Sequence, residues 1–430
     1  VRPAAAAASQ RTAGSVNARS APYPIFAINI PLSAIRQNLG AQYYETLGMN
    51  RATGWVGASV RSVNRLSVVN GLRGIAILLV LYYHLIAGTL SPSGVAIPFS
   101  PLMTNGWTGV NLFFILSGLV LFLPYAADDQ PLRDLSDRLA FYRRRFLRLM
   151  PLFYVAVVVE WSLAQGPQAR NFGELISVLS GTFVLNPRSF GPSFNTPLWS
   201  IGVEIAFSLM FPVLVFGLRR LGPARFAALI LALALLARIA GILRLPAVQG
   251  PSFNSDTVIC RVDEFVLGMV LAQLYIERRL PSRPGWCALV GLALVVFAWI
   301  GFDMVLRGAL PPITRAILND GLDAGLCAIV VASLVPQTRL AAVLAWSPLQ
   351  VVGMMCYSLY IWHLPLLLWL APDRAVMSMV TLALVIPLFL TLVFVVAAFS
   401  YRFIEFPRVR EWRRLFLLEP SHRVAKQASP

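Results

Sequence analysis

Apolar residues in this chain gather into long runs at 69–90, 106–124, 149–165, 197–218, 226–244, 259–276, 286–305, 319–335, 349–371 and 378–400, separated by short polar stretches. A helix that crosses the hydrocarbon core of a bilayer needs about 20 mostly apolar residues. The runs therefore predict about ten transmembrane helices and an all-α, polytopic membrane protein, in which each backbone polar group is satisfied within its own helix. The stretch GELISVLSGTFVLN at 173–186 is shorter and contains Glu174. Counting it as a span would put the cationic segment RRLGPAR on the outer side, so it predicts a short extra interfacial or re-entrant helix in an outer loop. No internal repeat is visible.

The polar remainder divides the chain. Residues 1–65 are rich in Ala, Ser, Arg and Asn with no apolar run, and predict a cytoplasmic N-terminal arm, mobile or partly ordered. A secretory signal is not expected there, because the alanines at 4–8 are followed by no apolar core. The chain opens on Val1, which fits either a piece of a longer chain or a protein whose own start lies near Asn64. Residues 66–408 hold the spans, and 409–430 form a short cytoplasmic tail.

Charge adds orientation. The net charge is +17, although only 13% of residues are charged and 57% are hydrophobic. The arginines concentrate in FYRRRFLRL, RRLGPAR, ERRLPSR and YRFIEFPRVREWRR, which alternate with nearly uncharged loops such as LSPSGVAIPFSP. The positive-inside rule places the arginine-rich set, and with it both termini, in the cytoplasm. A basic stripe on a soluble domain, as nucleic-acid binding requires, is absent. Cys260, Cys287, Cys327 and Cys356 lack metal-ligand spacing and read as packing residues, so no metal is expected. The sequence has no Walker A loop, no GxSxG elbow and no HExxH, which disfavours an ATP motor, a serine hydrolase and a zincin.

Candidate chemistry comes from ionisable residues inside the runs, where a charge costs several kcal/mol unless it faces a cavity or a partner. In NGLRGIAILLVLYYHL, Arg73 and His84 lie eleven residues apart. That spacing is about 16 Å along a helix and returns to nearly the same face. Glu204 in LWSIGVEIAFSLMFP and His363 in YSLYIWHLPLL fall at a depth similar to His84, with Asp263 and Glu264 of CRVDEFVLGM slightly shallower. A histidine oriented by a carboxylate removes a proton from a hydroxyl near neutral pH, which makes His84 the candidate base and Glu204, or another carboxylate, its partner. Each residue also has a plainer reading: Glu204 as a packing residue, Asp263 and Glu264 as caps or water-facing groups, Arg73 as a snorkelling cation.

The cationic inner mouth suits phosphates. Arg73 with Arg143, Arg144, Arg145 and Arg148 could hold them, and Tyr142, Arg145 and Arg148 recur at three-residue intervals along one helix face. A donor docked there reaches a base about 16 Å away only through a long thin arm, as coenzyme A has in its pantetheine. Gly106, Gly109, Ser117 and Gly118 indicate close helix packing, or room beside a channel. Asn195, Trp199 and Ser200 in GPSFNTPLWS would be available to an acceptor, Trp199 alternatively as an interfacial anchor.

These motifs, with GVNLFFILSGLVL, FYRRRFLRLMP, DEFVLGMVLAQL and FSYRFIEFP, stand in an order and spacing that resembles the acyltransferase-3 family of integral membrane proteins over about residues 66–408. The resemblance implies transfer of acetyl or other short acyl groups, commonly from acyl-CoA, to hydroxyls of glycans, lipid-linked sugars or glycosylated metabolites, in a bacterial inner membrane. It assigns the family's Arg-ten-His pair to Arg73 and His84, its basic segment to Phe141, Tyr142, Arg145 and Arg148, and its WSLxxE segment to Trp199, Ser200 and Glu204. Two departures stand out. Ile205, Phe207 and Ser208 replace the polar or acidic and Phe-Tyr residues common after the glutamate, and about 30 residues after 400 are too few for the SGNH esterase-like domain of many relatives. The expectation is an O-acyltransferase, with His363 lining the site and a hydroxyl-bearing glycan or glycosylated small molecule as acceptor. A flippase or transporter for a lipid-linked glycan is the alternative, although the internal repeats and paired broken helices of transporters are not visible.

Overall fold

The computed structural model describes residues 59–87, 104–127, 132, 134–164, 171–245, 251–371 and 379–407. The arm predicted over 1–65 falls outside the described residues except for 59–65, which open the first helix, and the tail predicted over 409–430 falls outside them entirely.

Among the described residues the structure is all helix and turn, with no strand. In chain order the helices are α1 (Ser59–Tyr82), α2 (Gly109–Ala126), α3 (Leu135–Leu163), α4 (Phe172–Leu179), α5 (Leu198–Leu221), α6 (Pro223–Arg244), α7 (Phe253–Asp256), α8 (Val258–Ile276), α9 (Pro284–Leu306), α10 (Thr314–Ser333), α11 (Arg339–Leu344), α12 (Ser347–Met354), α13 (Cys356–Leu370) and α14 (Met379–Ser400). Among the described residues, eight helical segments are long and apolar enough to cross a bilayer, or nine if α12 and α13, bent by 70° at their junction, are taken as one span. The tenth predicted run is α8, whose first seven residues include Arg261, Asp263 and Glu264. The protein is therefore an all-α, polytopic membrane protein. Its outward faces are apolar: Leu209, Val213 and Phe216 on α5, and Leu229, Leu233 and Leu236 on α6, are all exposed at three- or four-residue intervals. That is a stripe facing lipid rather than a core.

Three local features depart from the simple run pattern. The helix predicted at 149–165 begins at Leu135, so FYRRRFLRL is helical and continuous with the span. Asp134 starts it by accepting from the Asp137 backbone N–H while the Asp137 side chain returns to the Asp134 N–H, a reciprocal capping box. The run at 349–371 breaks at Met355, where the bend separates α12 from α13. Finally, the short segment at 173–186 forms α4, capped by Asn171 and stopped before Gly181, whose φ of 74° suits a residue without a Cβ. Glu174 is explained here: its carboxylate accepts from the Ser193 N–H at 2.9 Å and the Ser193 hydroxyl at 2.6 Å, tying α4 to the following loop.

The core is built by α1, α2, α5, α8 and α13 with their neighbours, and two close crossings fix it. A methyl group on Gly118 of α2 would sit 2.0 Å from the Phe265 carbonyl oxygen, and one on Gly268 of α8 would sit 2.0 Å from the Ile115 carbonyl oxygen. The two helices thus meet backbone to backbone, the contact that small residues permit in membranes. Likewise Gly353 of α12 leaves no room for a Cβ against the Asn70 carbonyl of α1, 1.7 Å away. Gly268→Ala is expected to cost about 1–3 kcal/mol by forcing α2 and α8 apart. Thermal unfolding in detergent measures it, and an unshifted midpoint would contradict the backbone contact.

Candidate active site

His84 lies just past α1, in a single π-helical turn (Tyr83–Ala87), a widening of the helix that often marks a functional position. Its Nδ1 is 3.0 Å from the Val80 carbonyl oxygen of its own helix and 3.2 Å from Nε2 of His363 on α13. The two rings meet edge to face with centroids 4.7 Å apart. His363 is wholly buried and its Nδ1 is 2.6 Å from the Tyr360 carbonyl oxygen. The two histidines that the sequence set at similar depth are therefore in contact.

The turn that carries His363 is held by the start of α5, and the reason is visible in the sequence. Pro365 has no N–H, so the carbonyl of Ile361, four residues earlier, loses its ordinary helical donor. Asn195 supplies the replacement: its Nδ2 donates to the Ile361 oxygen at 3.0 Å and to Glu160 at 2.9 Å. The Ser200 hydroxyl lies 2.7 Å from the Tyr360 hydroxyl, which in turn reaches the Pro197 oxygen at 3.3 Å. Asn195 and Ser200, expected to meet an acceptor, are instead buried and committed to this scaffold. Trp199 is not an interfacial anchor either: it is buried against Phe114 and Phe190, with the Arg261 guanidinium 5.8 Å from its ring centroid. Glu160, a buried acid in the apolar run VVVEWSL, and Tyr360 join the site without having been singled out; an acid inside a span was the available signal for Glu160.

Glu204 is placed elsewhere than beside His84. Its Oε1 accepts from Arg145 Nη2 at 2.9 Å and from the Ser117 hydroxyl at 3.3 Å, while Arg145 Nε also donates to Ser208 at 3.1 Å. The physical reason is proximity: α5 packs on α3, and Arg145 presents a full positive charge where the sequence suggested only an imidazole. Glu204, Arg145, Arg144 and Arg73 line one cavity with Ser117 and Tyr125, with about 470 Å³ of empty space including its opening to solvent. Arg73 and His84 thus mark two positions on one helix, the first in the arginine cavity, the second against His363.

The other basic residues diverge. Tyr142 donates its hydroxyl to the Leu209 carbonyl of α5 at 2.9 Å, and Arg144 reaches the Tyr125 hydroxyl on α2 at 3.3 Å. Arg148 leaves this group: it pairs with Glu405, which also accepts from Ser358, and lies between the rings of Tyr357 and Phe406. The single face expected for Tyr142, Arg145 and Arg148 is therefore split between α5 and the end of α14. Arg143 is exposed.

Asp263 and Glu264 are neither caps nor open to water. Both are fully buried in a polar network that ties α2, α6, α8 and α10 together. Arg238 bonds Asp263 at 2.8 Å, Asp320, and the Cys260 carbonyl at 2.7 Å; Arg261 pairs with Glu264 at 3.1 Å and donates to Asn111 at 3.0 Å. Asn111 and Asn319 bridge onward to Asp323. The oxygens of Asp263, Asp320 and Asp323 come close enough for a metal, but the Arg238 guanidinium already bonds two of the three.

Known proteins resemble the chain over most of its length. The acyltransferase-3 profile, described as an acyltransferase domain, matches residues 66–402. The O-acetyltransferase OatA of Staphylococcus aureus (strain NCTC 8325 / PS 47) is 26% identical over 372 residues, covering 82% of this chain and 58% of that protein. The peptidoglycan O-acetyltransferase OatA of Listeria monocytogenes is 27% identical over 362 residues, covering 79% of this chain and 55% of that protein. The chain spans less than two thirds of the length of these curated relatives. No solved structure matches it significantly. With its bundle of apolar helices inside the matched range, and Arg73 and His84 on the first of them, the chain belongs to the acyltransferase-3 family.

Proposed function

We propose that the protein is a membrane O-acyltransferase of a bacterial inner membrane, with both termini cytoplasmic, moving an acetyl or other short acyl group from acyl-CoA to a hydroxyl of a glycan or glycosylated molecule. The observation that carries the reading is the pairing of two sites along α1. Three arginines, Arg73, Arg144 and Arg145, share one cavity, and His84 stands eleven residues further along the helix that bears Arg73. The rise between them is about 16 Å, suited to a phosphate-bearing head at one end and a thioester at the other. Arg148 is left out of donor binding because Glu405 holds it, and Glu204 serves as the counter-ion that sets Arg145.

In this reaction His84 takes the proton of the acceptor hydroxyl as its oxygen bonds to the acyl carbon. The carbon–sulfur bond then breaks, and His84 returns the proton to the departing thiolate, so no proton is gained or lost overall. The relatives are O-acetyltransferases, one named for peptidoglycan, which supports an acetyl group and a surface glycan as the first pair to test. The test is thiol release from acetyl-CoA by the purified protein in detergent with soluble peptidoglycan fragments or simple glycosides; a transporter would release none.

Donor binding has its own expected outcome. A hydrogen bond to a charged group contributes about 1.5–3 kcal/mol. Arg73→Ala and Arg145→Ala are therefore expected to raise KM for acetyl-CoA by roughly ten- to a hundredfold, with kcat at saturating donor much less affected. Steady-state kinetics over donor concentration measure this, and wild-type KM values in both variants would exclude the cavity as the donor's phosphate site.

A further inference from the structure

The geometry points to His363 as a positioning residue that fixes the tautomer and ring angle of His84, in the place where a carboxylate would ordinarily stand. The inference rests on His84 being the base. A carbonyl oxygen only accepts hydrogen bonds. His363 Nδ1, 2.6 Å from the Tyr360 oxygen, must therefore carry a proton, and the neutral ring then holds its lone pair on Nε2. That lone pair needs a donor, and the atom it faces at 3.2 Å is His84 Nδ1. His84 Nδ1 also faces the Val80 carbonyl at 3.0 Å, another pure acceptor. Both contacts require the proton of neutral His84 to sit on Nδ1, which puts its basic lone pair on Nε2. The Tyr360 carbonyl thus sets the state of His363, and His363 and the Val80 carbonyl together set that of His84.

The arrangement has a physical advantage over a carboxylate. A neutral imidazole accepts from the imidazolium that forms on His84 without adding a standing negative charge to an apolar bundle, where an unpaired ion costs several kcal/mol. It also excludes His363 from acting as base, since its own lone pair is engaged. The rigidity comes from outside the pair: Asn195 satisfies the Ile361 carbonyl that Pro365 leaves without a donor, and Ser200 and Pro197 hold the Tyr360 hydroxyl. The turn bearing His363 is pinned two and three residues before it, at Ile361 and Tyr360.

Histidine occurs three times in the chain, so ¹⁵N-histidine labelling gives three sets of ring signals, and His84→Ala and His363→Gln identify two of them by their loss. In the wild type, His84 should show a protonated Nδ1 and an unprotonated Nε2. His363→Leu, which removes one of the two acceptors facing Nδ1 and leaves the Val80 carbonyl in place, should lower the share of the Nδ1-protonated tautomer, free the ring angle and lower kcat about ten- to a hundredfold, as loss of a group orienting a reactive imidazole does, with KM for acetyl-CoA within twofold of wild type. His363→Gln, whose side-chain oxygen can still accept, should keep the Nδ1 proton on His84 and recover most of kcat. An unchanged His84 signature and wild-type kcat in His363→Leu would overturn the inference. If the Leu variant does not accumulate, the Gln variant decides alone, and a His84 carrying its proton on Nε2 there would overturn it. Transfer surviving in His84→Ala would instead remove the underlying reading, so the two failures are distinguishable.

Discussion

His84→Ala is expected to lower the rate of acyl transfer by two to four orders of magnitude, the usual contribution of a positioned general base, while leaving acetyl-CoA binding in place. The separation follows from the geometry. The ring interacts with the Val80 carbonyl and His363, whereas the cavity lined by Arg73, Arg144 and Arg145 is walled by other side chains. Single-turnover transfer from acetyl-CoA in detergent measures the first quantity, and equilibrium binding of the same donor measures the second. Loss of both together would mean that the histidine holds the bundle rather than the reaction, and loss of neither would end its role as base. A substitution at half-buried His84 leaves the helical backbone of α1 intact, and the expected unfolding midpoint is therefore close to wild type.

The all-α membrane class and the placement of Arg73 and His84 along one helix were legible because each depends on distance along a single chain segment, whereas the ten predicted spans exceed the eight or nine found among the described residues. Run length counts spans, and rise per residue spaces groups on a helix. What periodicity does not encode is which neighbouring helix a side chain faces. Glu204 shared a computed depth with His84, yet the rotation of α5 aims it at Arg145 on α3. Arg148 continued the spacing of Tyr142 and Arg145, yet Glu405 at the far end of the sequence captures it. The link between Asn195 and Ile361 is similar: Pro365 announced an orphan carbonyl, but nothing in the sequence says that residue 195 lies beside it. Arg238 and Arg261 were missed for a different reason. Each stands in an apolar run where one charge looks like a tolerated exception, and only the three-dimensional meeting with Asp263, Glu264 and Asp320 shows two buried charges being neutralised.

That buried network carries the largest expected effect on stability. Arg238 is 3% exposed and bonds Asp263, itself wholly buried, together with Asp320 and the Cys260 carbonyl. Arg238→Met removes the cation and keeps most of the volume, leaving two carboxylates against one another without their shared donor. Breaking a buried pair by deleting one partner costs about 3–5 kcal/mol, because the survivor keeps its desolvation penalty and loses its compensation. The expected result is a marked drop in the thermal midpoint in detergent. Adding Asp263→Leu should recover part of it, since an apolar pair in place of an ion pair avoids that penalty. A single variant as stable as wild type would show that the network contributes nothing to the fold, and a double variant no better than the single would show that Asp263 is not the group left stranded. The rate behaviour should be the reverse of that at His84: Arg238 joins α6, α8 and α10 and touches neither the histidine pair nor the arginine cavity. Protein that remains folded at low temperature should therefore turn over at close to the wild-type rate per folded molecule, which separates the residues that build the bundle from those proposed to use it.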